Sequence, residues 1–166
     1  MSERPGFDPG AIIATLISGG VRFIVVGGIA AQAHGSPMMT QDLDICVDRD
    51  RDNLDRLAQV LRDLLATRRG LPDRVVAPID ARALRAGQIF TLTTRLGDLD
   101  LLGAPDPGFD FASLERNCVA FEFEGSNILI AGLDDLIAMK RAAGRPKDLL
   151  ALEILGALRE EVDRRG

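Results

Sequence analysis

Two spacings of apolar residues recur along the chain. Continuous or alternating apolar runs predict strands over 23–26, 42–47, 89–95, 98–102, 118–123 and 128–130. A helical repeat of Leu54, Leu57, Val60, Leu61, Leu64 and Leu65, with Arg, Asp and Gln between them, predicts a helix over 50–67, ended by Arg68, Arg69 and Gly70. Asp8-Pro9 reads as a helix start, and residues 11–18 as a helix closed by Gly19-Gly20. Residues 29–33, between Gly28 and the loop through Gly35 and Pro37, suit one or two helical turns. A short edge strand limited by Pro78 is expected over 75–79, and helical turns over 81–86 and 111–116. Gly103, Pro105, Pro107 and Gly108 mark a loop. From Leu133 onward the pattern is helical, broken at Gly144, restarted at Pro146 and continued by an apolar stripe over 149–158. Strands and helices mix without strict alternation. The expected fold class is therefore α/β in the broad sense (α+β), a small mixed sheet flanked by helices. One domain is expected over 1–166, with a core over about 8–131 and C-terminal helices over about 132–163.

Composition narrows the functional classes. The chain has 166 residues, 46% hydrophobic and 27% charged, as globular proteins have. A formal net charge of −5 argues against a broad nucleic-acid surface, although Arg68, Arg69, Arg82 and Arg85 are candidates for a local basic patch. Trp and Tyr are absent, which weakens any reading built on base-stacking platforms. No apolar run reaches the ~20 residues of a membrane span, and MSERPGFDPG lacks a secretory core, so no membrane role and a cytoplasmic location are expected. Cys46 and Cys118 give neither a disulfide framework nor zinc spacing; both are expected to be buried free thiols.

The chemistry concentrates in 23–45. The apolar strand 23–26 stops at Gly27-Gly28, and the next strand opens Asp42-Leu43-Asp44-Ile45. Side chains alternate along a strand, so Asp42 and Asp44 share one face, with Cα atoms roughly 6.5 Å apart. Two carboxylates aimed at one point repel unless a cation lies between them, and hard oxygen ligands suit Mg²⁺ or Mn²⁺. The paired glycines leave bare backbone where a polyphosphate can come close. A dinucleotide-binding reading is disfavoured, because G-x-G-x-x-G is missing.

Strand, Gly27-Gly28, thirteen intervening residues and then Asp42-Leu43-Asp44-Ile45 resemble the signature of the nucleotidyltransferase superfamily related to DNA polymerase β. Ala30, His34, Gly35 and Thr40 add a resemblance to minimal nucleotidyltransferases and to AbiEii-type toxins of toxin–antitoxin and phage-defence systems. Lys140, Arg145, Lys147 and Asp148 resemble the C-terminal Lys-x-x-x-x-Arg-x-Lys-Asp segment of such members. The resemblance implies a nucleotidyltransferase-like fold and transfer of a nucleoside monophosphate from an NTP to an acceptor hydroxyl, with release of pyrophosphate. The acceptor it implies is the 3′ end of tRNA, a partner protein or a small molecule; a cognate antitoxin is an implied partner.

Two-metal phosphoryl transfer needs a third acid on a neighbouring strand, and the resemblance implies Asp100, which would also help deprotonate the acceptor. Asp98 shares its face and is the fallback. The implied metal ligands and catalytic residues are thus Asp42, Asp44 and Asp100. The implied nucleotide-binding set is Gly27, Gly28, Ser36, Thr40, Lys140 and Arg145, the two cations offsetting phosphate charge. Ser36 and Thr40 have an alternative role in capping the turn, and Arg141 fits a solvated surface. His34, the lone histidine, suits a structural hydrogen bond. Asp48, Asp50 and Asp52 are expected to cap the following helix. Met38 and Met39 stand where many members carry Arg, a departure that touches one nucleotide or acceptor contact. That departure and the small size keep a rival class open, a non-catalytic nucleotide-binding or regulatory module.

Overall fold

The structure, a computed structural model, describes residues 6–72, 79–103 and 109–166. Asp8 accepts a hydrogen bond from the Ala11 N–H at 3.0 Å and Pro9 takes the first turn, so helix α1 runs Pro9–Ser18 and buries Ile12, Ile13 and Leu16. Strand β1 is Phe23–Val26, with all four residues buried. It runs directly into α2, Gly27–Ala33, which starts on the glycines themselves, two residues earlier than the apolar pattern alone indicates.

Strand β2 is Asp42–Val47 and pairs antiparallel with β1. Helix α3, Arg51–Asp63, buries Leu54, Leu57, Val60 and Leu61. It stops short of the expected residue 67 because Leu64 caps it and Leu65 turns left-handed, with φ 52°. The backbone then forms a strand where the sequence pattern showed a helix end: β3, Thr67–Arg68, pairs with β4, Ile89–Thr94. Between them lies α4, Ala81–Ala86, capped by Asp80. Strand β5 is Gly97–Leu102, antiparallel to β4 and parallel to β2. Helix α5, Phe111–Glu115, precedes the hairpin of β6, Val119–Phe123, and β7, Ser126–Ile130. Helix α6, Leu133–Ala143, ends at a left-handed Gly144. A 3₁₀ turn, Pro146–Asp148, leads into α7, Leu149–Arg165.

The seven strands form one mixed sheet in the order β3-β4-β5-β2-β1-β7-β6. The mixed sheet with flanking helices matches the expected class. Leu43 and Ile45 of β2 and Leu99 and Leu101 of β5 point into the core, at most 2% exposed. The alternating partners Asp42, Asp44, Asp98 and Asp100 are left on the opposite face. Among the described residues no helix is long and apolar enough to cross a membrane.

Two local expectations change. Cys46 is buried, but Cys118 lies just before β6 and is only half-buried, its Sγ bonded to the Glu115 carbonyl. Asp50 stands at the start of α3 without a side-chain cap bond; Asp48 instead accepts the Asp50 N–H at 3.1 Å and pairs with Arg22 at 2.6 Å. The strand expected at 75–79 and the loop at 103–108 fall largely outside the described residues.

Since Leu43 sits fully buried between the two acids of β2, Leu43→Ala should lower the free energy of unfolding by about 2–5 kcal/mol. Leu65→Ala, at a side chain 69% exposed, should change it by less than about 0.5 kcal/mol. Urea denaturation followed by circular dichroism checks both.

Candidate active site

The register places Asp44 beside Asp100 and Asp42 beside Asp98 on the parallel pair β2–β5. Asp42, Asp44 and Asp100 each offer a carboxylate oxygen within 4.8 Å of the others. Asp98, one residue pair further along the strand, turns to Arg69. Of the two acids on that face of β5, Asp100 is the one whose carboxylate converges with those of Asp42 and Asp44.

Crowding shows in the acid strengths. Burial first, then the charges of Asp42 and Asp100, push the Asp44 carboxyl up to about 7, against the pull of Lys140. Burial also raises Asp100, even though the Arg69 guanidinium acts the other way.

Backbone and hydroxyls fit closely around these acids. Gly27 adopts φ 64°, and a Cβ there would lie 2.0 Å from Asp44 Oδ2. A Cβ on Gly28 would lie 2.8 Å from the Thr40 hydroxyl. The bare backbone of the diglycine thus lets the chain pass against both the Asp44 carboxylate and the Thr40 hydroxyl. Thr40 Oγ1 lies 3.2 Å from Asp42 Oδ1 and donates toward it, fixing the first acid. Ser36 is buried and accepts the Met38 N–H at 3.3 Å. His34 has Nε2 2.9 Å from the Ala131 carbonyl, tying the end of α2 to the segment after β7, which is the structural role expected for it.

Opposite the acids stand the cations of α6 and the turn after it. Lys140 Nζ lies 3.2 Å from Asp148 Oδ1, and Arg145 Nε lies 2.8 Å from Asp148 Oδ2. The Asp148 side chain is 4% exposed. Burial alone would raise its pKa, but hydrogen bonds from Arg145 and Lys140 hold it below the usual carboxylate range. A cavity of about 600 Å³ joins the two sides: Gly27, Gly28, Ser36, Thr40 and the three acids line it together with Lys140, Arg145, Lys147 and Asp148. Met38, Met39, Leu136 and Met139 give it an apolar wall. All nine expected site residues border this one space.

Arg69 has a different place from the expected basic patch. Its guanidinium bridges Asp98 (2.9 Å) and Asp100 (2.5 Å). Arg68 packs over the Phe90 ring at 4.9 Å, and Arg85 pairs with Asp55 at 3.7 Å. The patch is therefore dispersed into separate contacts. Arg69 carried no local signal for its role, since it meets Asp98 and Asp100 through tertiary structure; Asp148 stood in the C-terminal basic motif, but its part in holding Lys140 and Arg145 together shows only in the structure.

The chemistry of the donor set fits a divalent ion. Three oxygen donors with no thiol or imidazole among them suit Mg²⁺ or Mn²⁺ and not a soft metal. The raised Asp44 also has a consequence for stability. Its folded-state pKa exceeds the unfolded one, so the stability it contributes is fully present below about pH 4 and is lost as pH rises through about 7. Without added metal, Asp44→Asn should therefore melt higher than the native chain at pH 8, with the gap closing toward pH 4. Calorimetric scans in a chelator across that range measure it, and parallel pH curves for the two proteins would refute it.

No protein-family model and no curated protein matches the chain. Solved structures do. One is TM1012 from Thermotoga maritima, described as a candidate nucleotidyltransferase, with TM-score 0.56, 15% identity, and coverage of 93% of this chain and 90% of that one. Another is ANT(2″)-Ia in complex with adenylyl-2″-tobramycin, with TM-score 0.56, 15% identity, and 93% and 94% coverage. A third is the lincosamide antibiotic adenylyltransferase LnuA with lincomycin bound, with TM-score 0.59, 12% identity, and 92% and 99% coverage. Strand order, flanking helices and these likenesses over nearly the whole length give the chain the nucleotidyltransferase fold.

Proposed function

We propose that the protein is a metal-dependent nucleotidyltransferase, moving a nucleoside monophosphate from a nucleoside triphosphate to an acceptor hydroxyl. One observation carries this reading. Three carboxylates from two strands and two cations from the C-terminal helical segment line one cavity. Such a space complements a polyphosphate with divalent ions, cation-binding on one wall and anion-binding on the other.

Asp42, Asp44 and Asp100 would hold Mg²⁺ or Mn²⁺. When bound, such ions supply positive charge to the phosphates and acidify the acceptor hydroxyl. The chain's own residues do the rest. Asp100 takes the proton from the acceptor oxygen as that oxygen bonds to the α-phosphorus. The bond from that phosphorus to the bridging oxygen breaks, and pyrophosphate leaves. Lys140 and Arg145, aligned by Asp148, offset charge on the departing phosphates. Gly27 and Gly28 let the triphosphate approach the backbone, and Ser36 and Thr40 shape the loop beside it.

For the acceptor we propose a small hydroxyl-bearing molecule. Two observations support it: the engagement of Arg68 and Arg69 removes half of the basic patch an RNA would need, and two of the similar structures are described with antibiotics. Transfer to a tRNA 3′ end or to a protein, as in a toxin paired with an antitoxin, is the competing outcome of the same assay.

The protein with Mg²⁺ and each α-labelled triphosphate should release pyrophosphate and label an acceptor from a panel of aminoglycosides, lincosamides, tRNA and the protein itself. Asp44→Ala and Asp100→Ala should lower the rate by about 100-fold or more, and Lys140→Ala should weaken it less. Absence of label with every triphosphate and acceptor, or equal labelling by Asp44→Ala, defeats the reading.

A further inference from the structure

Asp98 lies on the acid face of β5 but outside the group of converging carboxylates. Its partners explain what it does. Thr93 Oγ1 donates to Asp98 Oδ1 at 3.1 Å, and Arg69 Nη1 lies 2.9 Å from Asp98 Oδ2. The other arm of the same guanidinium, Nη2, reaches Asp100 Oδ1 at 2.5 Å. Both oxygens of Asp98 are therefore occupied, and one oxygen of Asp100 is.

Arg69 is itself held. Its backbone N–H donates to the Thr91 carbonyl at 2.9 Å, continuing the β3–β4 ladder by one residue, and Nη1 also lies 3.4 Å from the Leu92 carbonyl. Its side chain is 32% exposed and that of Asp100 only 15%. This differs from a mobile surface ion pair: a planar fork spans two carboxylates on β5, and its own backbone is pinned to the adjacent strand β4.

We propose that Arg69 is a positioning residue for Asp100, with Asp98 as the second anchor that sets the plane of its guanidinium. This rests on the transferase reading. By claiming one carboxylate oxygen of Asp100, Arg69 stops the side chain from swinging away from Asp42 and Asp44 under their repulsion. The second oxygen is left toward the cavity for the ion and the acceptor proton. Asp98 thus serves the site without belonging to it, and a cation beside a cation site is tolerated because Asp98 offsets its charge.

Two arms test this: Mn²⁺ binding to the full chain, followed by electron paramagnetic resonance without nucleotide, and steady-state kinetics. Arg69→Ala should weaken Mn²⁺ binding by about 10-fold and lower kcat by about 10–100-fold, with KM for the triphosphate changed by less than about 2-fold. Arg69→Lys, which supplies a charge but cannot bridge both acids, should recover only part of the loss. Guanidinium chloride at low millimolar concentration should restore activity to Arg69→Ala. Asp98→Asn should shift both readouts in the same direction by a smaller factor; it keeps the inference testable if Arg69→Ala fails to fold. Unchanged or tighter Mn²⁺ binding in both Arg69→Ala and Asp98→Asn overturns the proposal, because a mere counter-charge would loosen its hold on the acids when removed. If the native chain binds Mn²⁺ but turns over no triphosphate, the transferase reading fails while the binding arm still decides the role of Arg69. If the native chain binds no Mn²⁺, both fall.

Discussion

Like charges packed into one small space govern this molecule. Two ionised carboxylates about 4–5 Å apart repel by about 3–4 kcal/mol at an effective dielectric near 20. Three such pairs would oppose folding by an amount comparable to the whole stability of a small domain, about 5–15 kcal/mol. The chain answers in three ways at once. Burial and the neighbouring acids push the Asp44 carboxyl up to about 7, Asp100 leans on a guanidinium, and the charge of Lys140 pulls Asp44 the other way. Each device is local to the acids, and each is the kind of compensation that a divalent ion supplies more strongly.

The cationic wall obeys the same rule with the sign reversed. Lys140 and Arg145 sit near enough to share one carboxylate, and the nearly buried Asp148 makes that proximity stable. Neither wall is electrically neutral by itself, and the cavity between them is shaped by their separation. The sheet carries the acids, and α6 with the turn after it carries the cations. The site depends on the packing of α6 against α2, which itself lies on β1 and β2 and whose end His34 ties to the Ala131 carbonyl. A polyphosphate with its ions is the ligand class that both walls accept together.

Much of the fold was legible locally. Strand positions at β1, β2, β4 and β5 followed from apolar runs and alternation, and the Asp8-Pro9 start of α1 followed from capping chemistry. The departures have local causes too. Leu64 and Leu65 continue the helical apolar repeat, yet Leu65 turns left-handed and exposed. The next residues gain more by pairing with β4 than by extending a helix into solvent. Cys118 belonged by propensity to a strand, but the preceding helix end claimed its thiol.

Facing of side chains is encoded by a period of two residues, so the sequence alone determined that Asp42 pairs with Asp44 in direction, and Asp98 with Asp100. It also determined that a side-chain-free corner precedes the first pair. Which acid of the second strand converges with the first pair was decided by the β2–β5 register, which sets both β5 acids opposite the β2 acids, together with Arg69 and Thr93, which occupy the oxygens of Asp98. The partnership of Arg69 with Asp98 and Asp100 likewise came from tertiary structure. Periodicity is a property of neighbours along the chain. Register and this charge pairing arise between segments far apart in sequence, 31 residues for Arg69 and Asp100, where only the burial of the whole core fixes what meets what.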